Sequence, residues 1–128
     1  MAKKIKKIKS FDDACKILNQ DATLPSFTMV SEKEQAAMIA HYKLMIIIRA
    51  ANTLDNDGAQ WTPNWKDSSQ YKYYAWFEMD GSSGFRFRVY VGWLANSYVG
   101  SRLCFKSYER CTEIAKTFFD LYKDYFVL

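Results

Sequence analysis

The sequence has few of the side chains from which catalytic and metal sites are built. It contains one histidine, His41, and three cysteines without a paired-cysteine motif, Cys15, Cys104 and Cys111. A structural zinc site needs about four closely spaced ligands, and an odd number of cysteines cannot form a closed set of internal disulfides. We therefore expect no metal ion, no cofactor and no enzymatic activity, and a reducing cytoplasm fits the free thiols best.

Long apolar runs are also missing. The longest covers residues 44–48, whereas a membrane-spanning helix needs roughly 20 apolar residues. No secretory leader is expected, because Asp12 and Asp13 follow the lysine-rich start. The net charge of +4 is local, since five of the 18 basic residues lie within residues 1–9. The pI of about 8.9 therefore does not indicate a globally basic protein.

The length and composition indicate one folded unit. A chain of 128 residues has room for one domain, and its 49% hydrophobic residues are enough for a core. Residues 1–9 are expected to form a flexible lysine-rich tail, and residues 10–128 a single α+β domain.

Serine caps predict where the helices begin. Ser10 and Ser31 each precede an acidic residue three positions later, and Ser107 opens the last helical pattern. The predicted helices cover residues 10–19, residues 31–52 and the region after Ser107. Residues 44–48 are apolar on every side, which indicates burial; a buried strand is the alternative, but the alanine-rich flanks favour a helix.

The side chains alternate with a period of two after residue 70, which predicts strands. Two strands, 71–79 and 85–93, are separated by a glycine-containing connection of hairpin length, and a third covers 101–106. The resulting order, α-α-β-β-β-α, predicts an α+β fold with a three-stranded antiparallel meander packed on helices.

The two faces of this sheet are expected to differ. One is almost entirely apolar and is expected to meet the helices. The other mixes cations with aromatic rings, which suits single-stranded nucleic acid because phosphates need positive charge and unstacked bases need flat rings. An ordinary solvated sheet face with the same composition is the alternative. The expected nucleic-acid-binding residues are Lys72, Tyr74, Trp76, Arg86, Arg88, Tyr90, Arg102 and Lys106.

Two tryptophans, Trp61 and Trp65, flank a Thr-Pro-Asn sequence in a predicted ordered loop. Large aromatic residues next to a proline usually close a core, but they can also form a rigid interaction loop. As an interaction loop, they would serve as interface residues for a protein partner.

Four segments of the chain share a pattern with a known family. They are residues 61–65, 71–77, 100–107 and 120–125. From about Ser10 to its end the chain resembles a family of small uncharacterised proteins from phages and integrated elements of gut Bacteroidales. The resemblance implies no activity and no functional residue. In that family a proline commonly stands where this chain has Ala75, which puts a long regular first strand in doubt, because proline cannot donate to a β-ladder.

Together these observations predict a non-enzymatic phage or mobile-element accessory protein that binds single-stranded nucleic acid on the basic and aromatic sheet face. The alternative is a protein-interaction module, either a minor virion component or an inhibitor of a host factor. The resemblance places the protein in the cytoplasm of a bacterial host, with the virion as a second location.

Overall fold

The fold is mostly helical, and its longest helix runs through the core. The computed structural model describes residues 7–67, 69–80, 84–88, 92–94 and 102–127. Within these residues the four helices are α1 (Phe11–Leu18), α2 (Glu32–Asp55), α3 (Tyr108–Thr117) and α4 (Phe119–Phe126). The four short strands are β1 (Tyr71–Tyr73), β2 (Trp76–Asp80), β3 (Gly84–Arg88) and β4 (Gly92–Leu94).

The predicted serine caps are confirmed. The Oγ atoms of Ser10, Ser31 and Ser107 each accept a hydrogen bond from the backbone N–H three residues later, at 3.1, 3.3 and 3.3 Å. Each bond satisfies one of the N–H groups that have no partner inside the first helical turn. The last predicted helix is divided, however, because Phe118 leaves helical geometry between α3 and α4 with φ −112° and ψ 32°.

Most of the second half of α2 is buried, as its composition predicts, and only Arg49 is exposed there. The rest of the core comes from Ile8, α1, α3, α4 and Phe105. Residues 44–48 lie within α2, so their helical interpretation is confirmed. An apolar stretch of helix must be covered by several neighbours. The α2 residues that expose 1% or less of their surface are Leu44, Ile46, Ile47, Ile48, Ala50 and Ala51.

The predicted α+β fold with a three-stranded antiparallel meander is wrong, because the described part of the chain is mostly helical and its strands are short. The described strands form two separate antiparallel pairs, β1 with β4 and β2 with β3. The predicted third strand is reduced to a single bridge, in which Phe105 and Tyr73 exchange backbone hydrogen bonds of 2.8 and 3.1 Å. The predicted first strand is interrupted at Tyr74 and Ala75, between β1 and β2.

Asn52 of α2 binds the backbone on either side of Phe105, the residue that bridges to Tyr73. Its Nδ2 donates to the carbonyl oxygen of Cys104, and its Oδ1 accepts from the backbone N–H of Lys106, both at 2.9 Å. These backbone groups would pair with a neighbouring strand in a meander. A helix side chain takes them instead, which joins this segment to α2.

The predicted apolar sheet face is confirmed for five of its six described side chains, and it is wrong for Tyr71, which is 51% exposed. Tyr73, Ala75, Phe77 and Leu103 pack against the buried core, and Phe105 is fully buried within it. The strand side chains therefore do meet the helices, although the strands are paired differently from the prediction.

The last residues of the predicted lysine-rich tail contact the folded part of the chain. Ile8 is 1% exposed and belongs to the core, and the backbone N–H of Lys9 donates to Asp13 Oδ2 at 3.0 Å. The prediction for residues 1–6 lies outside the described residues.

A buried arginine joins α3 to the end of α2. Arg110 is 1% exposed, and its Nη2 and Nε atoms lie 3.0 and 3.1 Å from the two carboxylate oxygens of Asp55. Its Nη1 lies 3.1 Å from Glu113 Oε2. This two-point contact with Asp55 has the geometry of a strong charge-assisted pair.

We expect Arg110→Met to lower the free energy of unfolding by about 3 kcal/mol, because it leaves the Asp55 carboxylate without its partner. Lys116→Met, at an exposed position of the same helix, is the matched control and should change stability by less than about 0.5 kcal/mol. Urea unfolding followed by far-ultraviolet circular dichroism measures both. Equal losses in the two variants would contradict the structural role of the Arg110 pair.

Candidate ligand-binding groove

An open groove lies between α2 and the loop of residues 60–65. Its volume is about 720 Å³, within the range of roughly 300–1,000 Å³ that is usual for ligand sites. We call it the tryptophan groove. The aromatic, charged and amide side chains that line it belong to Arg49, Asn52, Gln60, Trp61, Trp65 and Arg102.

The described lining of the tryptophan groove is cationic. Arg49 and Arg102 are both exposed, and neither guanidinium has a hydrogen bond or ion pair within the described part of the chain. No carboxylate is among the described lining residues. Two arginines without acidic neighbours favour an anionic ligand.

The loop that carries the tryptophans is shaped by its own side chains. Asn64 donates its backbone N–H to Gln70 Oε1 at 2.7 Å, and its Oδ1 accepts from the backbone N–H of Lys66 at 3.1 Å. Such side-chain-to-backbone bonds are typical of Asn in turns. They hold a loop in which Trp61 and Trp65 are half-buried and both line the groove. Each ring is partly packed and partly accessible. Closing the core and contacting a partner therefore both stay predictions for this pair.

Lys72 lies beneath this loop and has no exposed surface. Its Nζ donates to the carbonyl oxygens of Asp67 and Gln70 at 3.2 and 3.1 Å, and it lies 5.3 Å from the centroid of the Trp65 ring. The prediction that Lys72 points into solvent is therefore wrong. Carbonyl oxygens and an indole ring take the place of water around the ammonium.

The other expected nucleic-acid-binding residues have different positions. Arg102 is exposed and lines the groove, Tyr74 is half-buried, and Lys106 is exposed, with its Nζ donating to the carbonyl oxygen of Asp55 at 3.3 Å. Trp76, Arg86 and Arg88 lie on β2 and β3, but their side chains, and all of Tyr90, lie outside the described residues. Their part in binding stays a prediction.

Arg49 was not predicted as a site residue, although the sequence contains a feature that indicates its position. Arg49 is a single charged residue that follows an entirely apolar stretch of α2. Met45, Arg49 and Asn52 are spaced by four and three residues, which places them on one side of the helix. A charged residue on an otherwise buried helix marks the side that reaches the surface.

Buried thiols make covalent catalysis at the groove unfavourable. Cys104 lines the groove but is 3% exposed, and burial raises its pKa to about 11. Burial also raises the pKa of Cys111 to about 12. Both thiols are protonated at neutral pH, whereas the thiolate is the nucleophile.

His41 packs against an aromatic ring of α4. Its ring meets the Tyr125 ring edge-on, with 4.6 Å between the centroids. Within the described residues no group of three or more His, Cys, Asp or Glu side chains is placed to hold a metal ion.

Comparisons with protein-family models, curated proteins and solved structures found no match to the chain. The resemblance to phage proteins therefore stays a prediction. Across the described residues, no helix combines the length and apolar character needed to cross a bilayer.

We expect the native thiols to resist alkylation at neutral pH, because a raised pKa keeps them protonated and burial blocks the reagent. Iodoacetamide labelling followed by mass spectrometry should modify Cys104 and Cys111 only after unfolding. Raising the pH towards 11 should increase the thiolate fraction of Cys104 before that of Cys111, because its pKa is lower.

Ser26→Cys supplies the matched control, since Ser26 lies in an exposed part of the chain. The added thiol should be labelled completely in the native protein. Rapid native labelling of Cys104 at neutral pH would mean that its thiol is accessible and ionised, contrary to the structure.

Proposed function

We propose that the protein is a non-enzymatic phage or mobile-element accessory protein that binds single-stranded nucleic acid, with the tryptophan groove as part of its binding surface. The supporting observation is the combination of Arg49, Arg102, Trp61 and Trp65 around one open groove. Both guanidiniums lack a described partner, and no described lining residue is acidic.

These side chains match the two chemical components of a nucleotide. A guanidinium can donate two parallel hydrogen bonds to a phosphate, which a single ammonium cannot do. An indole ring offers a flat surface to an unstacked base, and such stacking is worth about 1–3 kcal/mol per base. Bases in a duplex are stacked on each other, so a groove of this kind favours single strands.

Arg102 connects the groove with the surface predicted from the sequence. It was expected on the basic and aromatic face, and it lines the groove beside the tryptophans of the predicted interaction loop. One of the predicted nucleic-acid-binding residues thus lies at the same site as both tryptophans of the predicted interaction loop.

We expect Arg49→Gln and Arg102→Gln each to weaken binding to an oligothymidylate of about 15 nucleotides, a length chosen from the site sizes of known single-strand binders. If each arginine neutralises one phosphate, its loss should reduce the slope of log affinity against log salt concentration by about 0.7. Fluorescence anisotropy titrations at several salt concentrations measure both quantities.

Lys33→Gln is the control for these arginine variants. Lys33 is an exposed cation on α2, about 24 Å along the helix from Arg49. Its substitution should leave the salt slope unchanged. Wild-type binding that does not respond to salt, or arginine variants that bind like the wild type, would contradict the proposed function.

We expect Trp61→Ala to lower the affinity for the same oligonucleotide by about 5- to 150-fold, which corresponds to the loss of one base–indole stack. Trp61→Phe keeps a ring and should retain most of the affinity. The same titrations measure both variants, and circular dichroism checks that each is folded. Equal binding by the alanine and phenylalanine variants would show that no base stacks on this residue.

The second candidate function is recognition of a protein partner. Tryptophan and arginine are the residues that most often dominate protein interfaces, and Met45, Ile48 and Pro63 add apolar surface to the groove. A partner retained by the wild-type protein but not by Trp61→Ala, without salt-sensitive binding to single-stranded DNA, would select this function.

A further inference from the structure

We infer that Lys72 is the positioning residue for Trp65: its ammonium holds the described loop residues 64–67 and 69–70 in the shape that presents the Trp65 ring to the groove. Lys72 itself does not touch the nucleic acid. This inference rests on the proposed function, because the position of the ring matters to affinity only if a base stacks there.

The donors of the Lys72 ammonium are all directed at the loop. An ammonium has three N–H donors. Two hydrogen bonds go to the carbonyl oxygens of Asp67 and Gln70, and the Trp65 ring lies 5.3 Å away, inside the limit of about 6 Å for a cation–π contact. The side chain has no exposed surface, so a phosphate could reach it only if the loop opened.

The loop has few other connections to its surroundings. Its remaining described hydrogen bonds are local, such as those from Asn64 to Gln70 and from Ser69 to Asp67. Lys72 lies on β1 and pairs with Trp93 of β4, so its backbone is held by the sheet. The ammonium therefore connects a locally folded loop to a strand with a fixed position.

The same group lies close behind the groove wall. The Lys72 charge lowers the pKa of the Cys104 thiol and so offsets part of the rise that burial causes. Cys104 and Trp65 both line the groove. Loss of the ammonium would leave the Gln70 carbonyl oxygen without its described donor and the Asp67 carbonyl oxygen with only the Gln70 N–H at 3.3 Å. The Trp65 ring would also lose its cation, and the loop would then be free to change shape.

The test compares Lys72→Met, which removes the charge and keeps an unbranched side chain, with Arg102→Gln, which removes a proposed phosphate contact. In titrations with the oligothymidylate, Lys72→Met should lower the affinity at least 5-fold, within the range of one lost base stack, and leave the salt slope unchanged. Arg102→Gln should lower both. A slope reduced by about 0.7 in Lys72→Met would show a direct phosphate contact and overturn the inference.

A double-mutant cycle separates positioning from general destabilisation. If Lys72 acts through the Trp65 ring, adding Lys72→Met to Trp65→Ala should cause no further loss of affinity. The same 5-fold loss in both backgrounds would overturn the inference. Unchanged affinity in Lys72→Met alone would overturn it too, while leaving the proposed function intact.

A measurement on the wild-type protein covers the case in which Lys72→Met does not fold. Acetylation by an amine-reactive ester, mapped by mass spectrometry, should leave Lys72 unmodified with and without the oligonucleotide. Modification of Lys72 in the free protein and its protection by the oligonucleotide would overturn the inference. If the wild-type protein shows no salt-sensitive binding at all, the proposed function fails and this inference fails with it.

Discussion

Residues 44–48 of α2 include no polar side chain, so several neighbouring elements must cover this stretch. Burying a leucine or isoleucine side chain contributes about 1.5–3 kcal/mol, and four such residues of α2 are almost completely buried. Helices α1, α3 and α4 and Phe105 provide the cover, while Asn52 fastens the segment of residues 104–106 to the helix. The tryptophan groove lies where this cover is incomplete, because Met45 is half-buried there and Arg49 reaches the surface.

The buried ammonium of Lys72 needs a reason, because removing a charge from water is costly unless other groups replace the water. Two carbonyl oxygens and an indole ring do so here. A buried charge can often be replaced by an apolar side chain without loss of stability. Stability is therefore a weak explanation for Lys72, and its position between β1 and the Trp65 loop supports a role in shaping the groove.

Local features of this fold could be predicted from the sequence, and long-range pairing could not. The caps at Ser10, Ser31 and Ser107 depend on residues three positions apart, so the helix starts were correct. The bridge between Tyr73 and Phe105 depends on residues far apart in the chain. The backbone groups on either side of Phe105 bind Asn52 of α2, which is also distant in the sequence. Alternation correctly placed Phe77 and Phe105 against the core. The same alternation gave the wrong position for Lys72. A period of two assigns side chains to two faces of a strand, but it does not show that a loop covers the face that carries Lys72.

The site combines residues that the sequence placed in separate hypotheses. Arg102 belonged to the basic sheet face, Trp61 and Trp65 to an interaction loop, and Arg49 to neither, yet all four line one groove. The positive charge of Arg49 and Arg102 bears on both candidate functions, because it favours the same kind of ligand. Two exposed guanidiniums without a partner among the described residues, and with no acidic residue in the described lining, favour a negatively charged ligand. Nucleic acid supplies a phosphate with every nucleotide, whereas a protein partner would have to bring carboxylates to the same two positions. In the second candidate function, the protein partner would therefore have to present an acidic surface to the groove.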